Sequence, residues 1–318
     1  MKLIITIDTE EDSWGDYSRT GHTLKNIGKI PALQEMFDDF NVKPTYLITY
    51  PVATDSASIT ILRGIEKSGN CEIGMHCHPW NTPPFEEELN EKNSMLCNLP
   101  HDLQHEKMKF LHNTIITNFD VNPISFRSGR WGYNRSVAEN LYKLGYKVDT
   151  SITSYTDWQN YYGPDFSNVS PHPFRFFHEN AFEEACDGPL LEVPATIAYL
   201  QQNFAWCNAM SRILSKKPIN RLRLIGILDK LNILNKVWLS PEQSDSKHMI
   251  KLTKCLMKKN YRTINLFFHS ATLKAGLTDY VKTNSDEKRF LQQIKEFLDF
   301  TNEVGIESIR LSDSVNLA

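Results

Sequence analysis

Short apolar runs alternate with helix-spaced apolar residues along most of this 318-residue chain, and this alternation constrains the fold more than any other feature. Most runs are bounded by polar or turn-forming residues, as expected for buried strands. A strand, a helix and a second strand in succession form a crossover unit, in which the two strands pair in parallel. Repeated units of this kind predict a parallel α/β sheet, closed or nearly closed into a barrel. An open doubly wound sheet is the alternative.

The pattern predicts where the individual elements lie. We predict strands at residues 3–8, 45–50, 71–76, 123–126, 146–152, 190–193, 263–268 and 306–311. We predict helices at residues 24–40, 59–68, 101–119, 136–144, 243–259 and 287–304. Two long stretches, 153–187 and 198–241, are interpreted as irregular insertions in one domain that covers residues 1–318. Connections of such length usually form lids or binding loops.

Charge and hydropathy exclude several classes of protein. The chain has 35 lysine or arginine residues against 38 aspartate or glutamate residues, so it lacks the basic excess of a nucleic-acid binder. No apolar stretch of about 18 residues occurs, and no transmembrane helix is expected. A local basic cluster contains Lys216, Lys217, Arg221 and Arg223. A solvated helix face and an anionic partner explain this cluster about equally well.

The start of the sequence and its cysteines predict a cytoplasmic protein. Met1-Lys2 leads directly into the apolar residues 3–7, a run that is too short for a secretory signal and lacks a cleavage site. The six cysteines are scattered without CxxC pairs. Free thiols are therefore expected rather than a disulfide framework.

Two histidines at the end of the third predicted strand form a candidate metal site. Residues i and i+2 of a strand point to the same face, so His76 and His78 can direct their imidazoles at one point. Pro79 cannot continue the ladder, which places the pair at a strand exit. The alternative is two ordinary histidines, one buried and one exposed.

Acidic residues follow the first strand. Asp8, Glu10, Glu11 and Asp12 are four acids within five positions, and the first two share a face if the strand continues. One carboxylate can bind a metal while a second acts as general base. A helix N-cap or a surface turn is the alternative.

Two further strands end in reactive residues. Arg127 follows the fourth strand, where an arginine would lower the pKa of nearby carboxyls and orient them. Gly129 and Gly132 in the same loop permit close backbone approach. His269 ends the late apolar strand. Because the carboxyl ends of parallel strands meet at one edge of the sheet, these residues are expected near Asp8 and His76.

With these motifs in family order, the chain resembles the NodB-homology polysaccharide deacetylases of carbohydrate esterase family four. Within that family it resembles the branch typified by the WalW and WbmS proteins. Two departures from the usual pattern are Glu10, where the family has aspartate, and a one-residue spacing between the histidines, where most members have three. The matching segments are Asp8-Thr9-Glu10, His76-Cys77-His78, residues 127–132, Asp157-Trp158 and Leu266-Phe267-Phe268-His269.

The resemblance implies a distorted (β/α) barrel of seven to eight parallel strands that binds a divalent metal, expected to be zinc. Its ligands would be His76, His78 and either Glu10 or Asp12.

The resemblance also implies roles for the residues around the metal. Asp8 would be the general base, held by Arg127. His269 would protonate the leaving amine, with Asp157 or Asp149 fixing its tautomer.

The function implied is a metal-dependent hydrolase that removes an N-acetyl or other acyl group from a sugar or polysaccharide precursor, nucleotide- or lipid-linked. Trp80, Trp131 and Trp158 would line the sugar cleft, although core packing explains each of them equally well. Two alternatives stay open: a hydrolase of another non-peptide C–N amide on the same barrel, and a catalytically silent carbohydrate-binding protein.

Overall fold

A curled, mostly parallel sheet forms the inner layer of the molecule. The computed structural model describes residues 1–216 and 223–317. The strands of this part of the chain are β1 (Lys2–Thr9), β2 (Thr45–Ile48), β3 (Glu72–Cys77), β4 (Ser125–Ser128), β5 (Val148–Asp149), β6 (Phe174–Phe176), β7 (Leu190–Glu192), β8 (Ile197–Tyr199), β9 (Lys236–Trp238), β10 (Thr263–His269) and β11 (Glu307–Ser308).

The strand order makes the sheet an incomplete barrel. It runs β10-β1-β2-β3-β4-β5-β7-β6, and β11 pairs with the start of β1. Every pairing is parallel except that of β6 with β7, while β8 and β9 form a separate antiparallel ribbon. Polar side chains meet across the enclosed interior, because Asn265 of β10 donates to Thr150, just after β5, at 2.9 Å. The predicted distorted barrel of seven to eight parallel strands is confirmed, and the doubly wound alternative is wrong.

The remaining gap in the barrel is closed by single backbone hydrogen bonds rather than by a ladder. Thr196 donates to the carbonyl of Asn265 at 3.2 Å, and Leu239 donates to that of Thr196 at 2.9 Å. Phe267 in turn donates to the carbonyl of Leu239 at 3.1 Å. The segments that flank the β8–β9 ribbon therefore complete the wall between β7 and β10.

Helices cover the outside of the sheet. Side-chain caps begin several of them: Asp55 accepts the backbone N–H of Ser58, and Asn134 accepts that of Val137. No helix in the described ranges is long and apolar enough to cross a membrane. The helices are α1 (Ile30–Asp39), α2 (Tyr50–Thr54), α3 (Ser56–Lys67), α4 (His101–Phe119), α5 (Arg135–Lys143), α6 (Phe204–Ser215), α7 (Leu224–Lys230), α8 (Ser246–Lys258) and α9 (Asn284–Glu303).

Several predicted boundaries need correction. The first helix begins at Ile30 rather than residue 24, because Pro31 sits in its first turn and a 3₁₀ turn precedes it. The strand predicted at 146–152 is regular only at 148–149. Thr150 still donates its backbone N–H to Phe126 of β4, but the carbonyl of Ile152 accepts from Ala195, after β7. The strand predicted at 306–311 shrinks to two residues.

The two long stretches are not wholly irregular. Residues 153–187 contain β6, and residues 198–241 contain α6, α7 and β9. In α6 the apolar residues that face the core lie three and seven positions apart, at Phe204, Cys207 and Leu214, which is helical spacing that the prediction missed. Of the basic cluster, Lys217 and Arg221 lie outside the described residues.

Candidate active site

Four strands deliver reactive side chains to the same edge of the barrel. Asp8, near the end of β1, lies opposite His269 in the register of β1 and β10. His76, near the end of β3, lies opposite Arg127 of β4. Because alternate residues of a strand share a face, all four side chains point into the barrel at its carboxyl edge.

Glu10, His76 and His78 form a buried cluster whose potential ligand atoms all lie within 4.8 Å of one another. Nε2 of His78 is 2.9 Å from Oε2 of Glu10, and Nε2 of His76 is 3.7 Å from the same oxygen. Each of the three residues is at most 2% exposed. The cluster is a buried triad that can bind a metal.

The protonation of the triad fits a divalent cation. Burial raises the pKa of Glu10 well above its usual value, and the nearby Asp8 carboxylate raises it further. Burial lowers the pKa of both His76 and His78, so both imidazoles are neutral and each offers a lone pair. Oε1 of Glu10 is buried and has no hydrogen-bond donor. Two imidazoles and one carboxylate are a ligand set that suits zinc and leaves positions open.

A backbone hydrogen bond sets the tautomer of His76. Its Nδ1 lies 3.0 Å from the carbonyl oxygen of Arg127, which can only accept. Nδ1 therefore carries the hydrogen, and Nε2 presents its lone pair toward Glu10.

His78 is held by packing instead. Its Nδ1 is buried without a partner, and its ring lies 4.0 Å from that of Trp80, measured between centroids. A Cβ on Gly129 would come within 2.3 Å of Nδ1 and within 2.8 Å of the carbonyl oxygen of Cys77. Glycine at position 129 is what allows the imidazole to occupy this place.

The loop that follows His78 is fixed by a buried ammonium group. Lys107 of α4 donates to the carbonyl oxygens of Pro79, Thr82 and Pro84 at 2.6–2.9 Å. Its side chain is fully buried. Since three carbonyls of one loop share one cation, the backbone on the carboxyl side of His78 has little freedom.

Trp80 supports His78. The prediction that it lines the cleft is wrong. It is 1% exposed, and its Nε1 donates to Oε1 of Glu11 at 3.3 Å. The side chain of Asn81 donates to the same oxygen at 2.8 Å. Glu11 thus ties the loop after β3 to the end of β1, which carries Glu10.

Arg127 binds Asp8 inside the barrel. Its Nη1 lies 2.6 Å from Oδ1 of Asp8, while Nη2 donates to Thr6 Oγ1 and Nε to the carbonyl of Thr150. Burial alone would raise the pKa of Asp8, but the charge of Arg127, aided by the nearby histidines, lowers it below the usual value. Asp8 is therefore a carboxylate, with Oδ2 directed at the histidines.

His269 stands on the other side of Asp8 and is held by Glu242. Its Nδ1 is 2.9 Å from Oε2 of Glu242, and its Nε2 is 3.9 Å from Oδ2 of Asp8. Thr272 also donates to Glu242. Burial opposes the charged imidazole, but Glu242, with Glu10 and Asp8, raises the pKa of His269 to about 10. The imidazole of His269 is therefore protonated, and its Nε2 faces Asp8.

The sequence analysis missed Glu242 and assigned its role to other residues. Asp157 is exposed and accepts the backbone N–H of Gln159, and Asp149 lies on the outer face of the sheet. Neither contacts His269 within the described residues, so both assignments are corrected. Glu242 lies just after β9, at the end of a long connection, and no local pattern marks such a residue.

Asp12, the alternative third ligand, is used elsewhere. Its carboxylate accepts hydrogen bonds from the Thr23 hydroxyl, the backbone N–H groups of Lys25 and Asn26, and the Asn26 amide, all at 2.7–3.0 Å. It organises the loop after β1 and is not part of the metal triad. Glu10 is the acid that the structure places beside both histidines.

Asp149 pairs with another acid, Glu192, its register partner on β7. Both are fully buried, and Oδ2 of Asp149 and Oε2 of Glu192 have no donor. Burial raises the pKa of Asp149 to about 6 and that of Glu192 well above its usual value. A proton shared between the two carboxyls supplies the missing donor.

A cleft of about 420 Å³ opens above the triad, and aromatic rings form much of its wall. Trp131 and Trp158 line it as predicted, and two tryptophans not predicted join them. One of these, Trp14, stacks on His269 with the ring planes 8° apart and the centroids 4.9 Å apart. The aromatic residues of the wall include Trp14, Tyr17, Trp131, Trp158, Tyr161 and Trp238.

The same fold occurs in known structures of low sequence identity. A candidate polysaccharide deacetylase from Mycobacterium smegmatis matches with a TM-score of 0.56 and 14% identity, over 99% of this chain and 89% of that one. A GH57-type branching enzyme from the archaeon Pyrococcus horikoshii matches with a TM-score of 0.53 and 8% identity, over 99% of this chain and 70% of that one. A 4-alpha-glucanotransferase from Thermococcus litoralis matches with a TM-score of 0.52 and 11% identity, over 99% of this chain and 40% of that one.

These likenesses show a shared fold and no more, because a fold of this kind can host unrelated reactions. No family profile matches the sequence. No curated protein matches it either.

We predict that Gly129→Ala weakens metal binding, because the new methyl group displaces His78. The expected loss in zinc affinity is roughly ten- to hundredfold, the range seen when support for a metal ligand is removed. A competition titration with a chromophoric chelator measures it. Gly64→Ala is the matched control, since a Cβ at Gly64 meets nothing within 4 Å. Unchanged zinc affinity in Gly129→Ala would show that His78 does not bind the metal.

We predict that Asp149→Asn flattens the pH dependence of stability. The folded protein holds protons on Asp149 and Glu192 that the unfolded chain releases near pH 4, so the free energy of unfolding falls as the pH rises from about 5 to 8. Removing one of these acids should reduce that fall by up to about 1.4 kcal/mol per pH unit for each proton. Urea unfolding at several pH values measures it, with the exposed Asp120→Asn as control. Equal slopes in Asp149→Asn and wild type would contradict the shared proton.

Proposed function

We propose that this protein is a metal-dependent hydrolase that removes an acyl group, in the simplest case N-acetyl, from a sugar or polysaccharide precursor. One observation carries the proposal. A buried Glu10-His76-His78 triad lies beside a carboxylate that Arg127 keeps ionised, Asp8, and beside an imidazole whose pKa is raised, His269. A metal site flanked by a general base and a general acid is the arrangement that hydrolysis of an amide or ester requires.

The triad would hold the metal, with zinc the expected ion. Such an ion supplies Lewis-acid polarisation of the substrate carbonyl and a lowered pKa for water. Asp8 takes the proton of the attacking water, since Arg127 keeps it ionised and fixes one of its oxygens. Oδ2 of Asp8 stays available for this transfer.

His269 completes the reaction by protonating the leaving nitrogen or oxygen. Glu242 holds the Nδ1 hydrogen, so that Nε2 faces the cleft. The same contact favours the imidazolium, which is the form that donates. Trp14, stacked on this ring, covers one of its faces and restricts its rotation.

The cleft favours a sugar over a small cyclic amide as substrate. Pyranose rings have apolar faces that pack on indoles, and the wall offers Trp131, Trp158 and Trp238. The names of the fold neighbours also point to carbohydrate chemistry. Among those reactions the site favours deacylation, because a glycosidase needs two carboxyl groups on opposite sides of the scissile bond. Here Asp8 and Glu10 lie two residues apart on one strand end.

A catalytically silent sugar-binding protein remains the alternative in a different class. The presence of a candidate base, acid and set of metal ligands argues against this alternative. Burying Arg127 to keep Asp8 ionised costs free energy, and sugar binding alone does not require an ionised Asp8. Membership of the WalW and WbmS branch, a cytoplasmic location and a nucleotide- or lipid-linked substrate remain parts of the proposal.

The proposed function predicts that His78→Ala loses both zinc and activity. Wild-type protein should retain zinc through dialysis and release acetate from at least one member of a panel of N- and O-acetylated sugars. Metal analysis and an acetate assay measure the two properties. The exposed His172→Ala should keep both. Zinc retention without acetate release would support the silent alternative, and zinc retention in His78→Ala would overturn the ligand assignment.

Glu242→Gln tests the support of His269. The amide keeps the shape of the side chain but removes its charge, so the pKa of His269 should fall. Because the donor then loses its proton at lower pH, the alkaline limb of the kcat profile should shift to lower pH, and kcat should drop roughly tenfold or more. KM and zinc content should stay unchanged, and the exposed Glu183→Gln should match wild type. An unshifted alkaline limb would show that Glu242 has only a structural role.

A further inference from the structure

An apolar surface without a partner covers helices α6 and α7, on the connection between β8 and β9. Five large apolar side chains are exposed there by 43–61%, and they come from residues 206–233. The two helices are in contact, so these side chains come from adjoining elements and from the residues just after α7. The surface, called here the α6–α7 surface, consists of Trp206, Ile213, Ile227, Leu231 and Ile233.

Helix α6 carries two apolar stripes. Phe204, Cys207 and Leu214 are buried against the rest of the protein. Trp206 and Ile213 lie seven residues apart, about two turns, and therefore share a different face, which points to solvent. One stripe is enough to attach a helix of this length, so the second calls for another explanation.

Helix α7 is mostly apolar; Leu224, Ile225 and Leu228 are half-buried against the core, whereas Ile227 is exposed. Leu224, Ile225, Ile227 and Leu228 make up four of its seven positions. Exposed apolar side chains that are grouped on one surface often mark a site of interaction with another surface.

Basic residues alternate with the apolar side chains along this segment of the sequence. Residues 204–235 contain six lysines or arginines against one acid, Asp229, whereas the whole chain has 35 against 38. Four of the basic residues, Arg212, Lys216, Arg223 and Lys230, are exposed, and none forms an ion pair with a described residue. The other two, Lys217 and Arg221, are known from the sequence alone.

We propose that the α6–α7 surface docks the protein on an anionic lipid bilayer. Helices that lie in a membrane interface combine tryptophan and branched apolar side chains with a lysine- and arginine-rich border. The anionic headgroups account for the charge, and the acyl boundary accounts for the apolar stripe. A second copy of the chain would bring the same positive charges face to face, so the charge argues against a symmetric dimer through this surface.

Docking would place the cleft close to the membrane. Leu231 and Trp238, which lines the cleft, are seven positions apart in the sequence, and a chain of that length spans at most roughly 25 Å. A glycan carried on a membrane lipid is then the substrate class within reach. This choice of substrate rests on the proposed function, whereas the docking itself does not.

Flotation of the full chain with lipid vesicles tests the docking. The protein should float with vesicles of phosphatidylcholine and phosphatidylglycerol, and at least about tenfold less with phosphatidylcholine alone or at high salt. A double variant, Arg212→Gln with Lys216→Gln, should lose roughly tenfold or more in affinity for the anionic vesicles. Lys288→Gln with Lys295→Gln, exposed on α9, is the charge-matched control and should bind as wild type.

The contribution of the apolar side chains to vesicle binding is tested by the double variant Trp206→Ser with Ile227→Ser, which should abolish flotation. Leu89→Ser with Ile116→Ser, exposed elsewhere, is its control. Trp206→Phe should remove a blue shift of the emission that wild type shows on the anionic vesicles. Thermal unfolding checks that each variant is folded.

Absence of flotation with anionic vesicles would overturn the docking, as would equal losses in the control variants. The wild-type protein could instead form a dimer that the double variant Trp206→Ser with Ile227→Ser dissociates. If it also fails to bind vesicles, the surface is an interface with a second copy of the chain. Acetate release from soluble sugars tests the proposed function separately, because it needs no vesicle. Faster release from a vesicle-borne acetylated glycan than from its soluble headgroup would support the lipid-linked substrate.

Discussion

The ion pair between Asp8 and Arg127 is the interaction on which the site depends. It lies inside the barrel, where both groups are almost completely buried, and it joins the first strand to the fourth. Burying one charge without the other would be strongly unfavourable, so the pair fixes the relative position of both strands. Arg127 also orients His76 through its backbone carbonyl. Arg127 thus sets both the charge of Asp8 and the tautomer of His76.

Around this pair, the site balances negative and positive groups without access to much water. Asp8 is compensated by Arg127, and Glu242 by His269. Glu10 faces neutral imidazoles and keeps one oxygen without a donor, which leaves it as the group that a cation would satisfy. The charge balance explains why the triad fits a metal better than it fits an ordinary hydrogen-bonded core.

The residues that support the triad come from a helix and from loops rather than from the sheet. Lys107 holds the loop after His78, Glu11 holds Trp80, and Gly129 leaves room for the imidazole. The connection that carries α6 and α7 also lies outside the barrel sheet and reaches the protein surface. It leads from an exposed apolar face directly into β9, whose Trp238 forms part of the cleft. Surface and site are therefore linked by a short stretch of chain.

The sequence by itself determined the barrel and most of the central residues. Period-two and helical apolar patterns report burial locally, and the carboxyl ends of parallel strands must meet, so Asp8, His76, Arg127 and His269 could be placed together without a structure. His78 and Glu10 followed from the same alternation.

Only the tertiary structure decided the partners that come from distant segments. Glu242, Lys107 and Trp14 reach the site through connections whose path no local pattern encodes, and the capture of Asp12 by its own loop separates it from Glu10. The exposure of the α6–α7 surface is likewise a property of packing, because a sequence reports that a residue is apolar but not whether anything covers it.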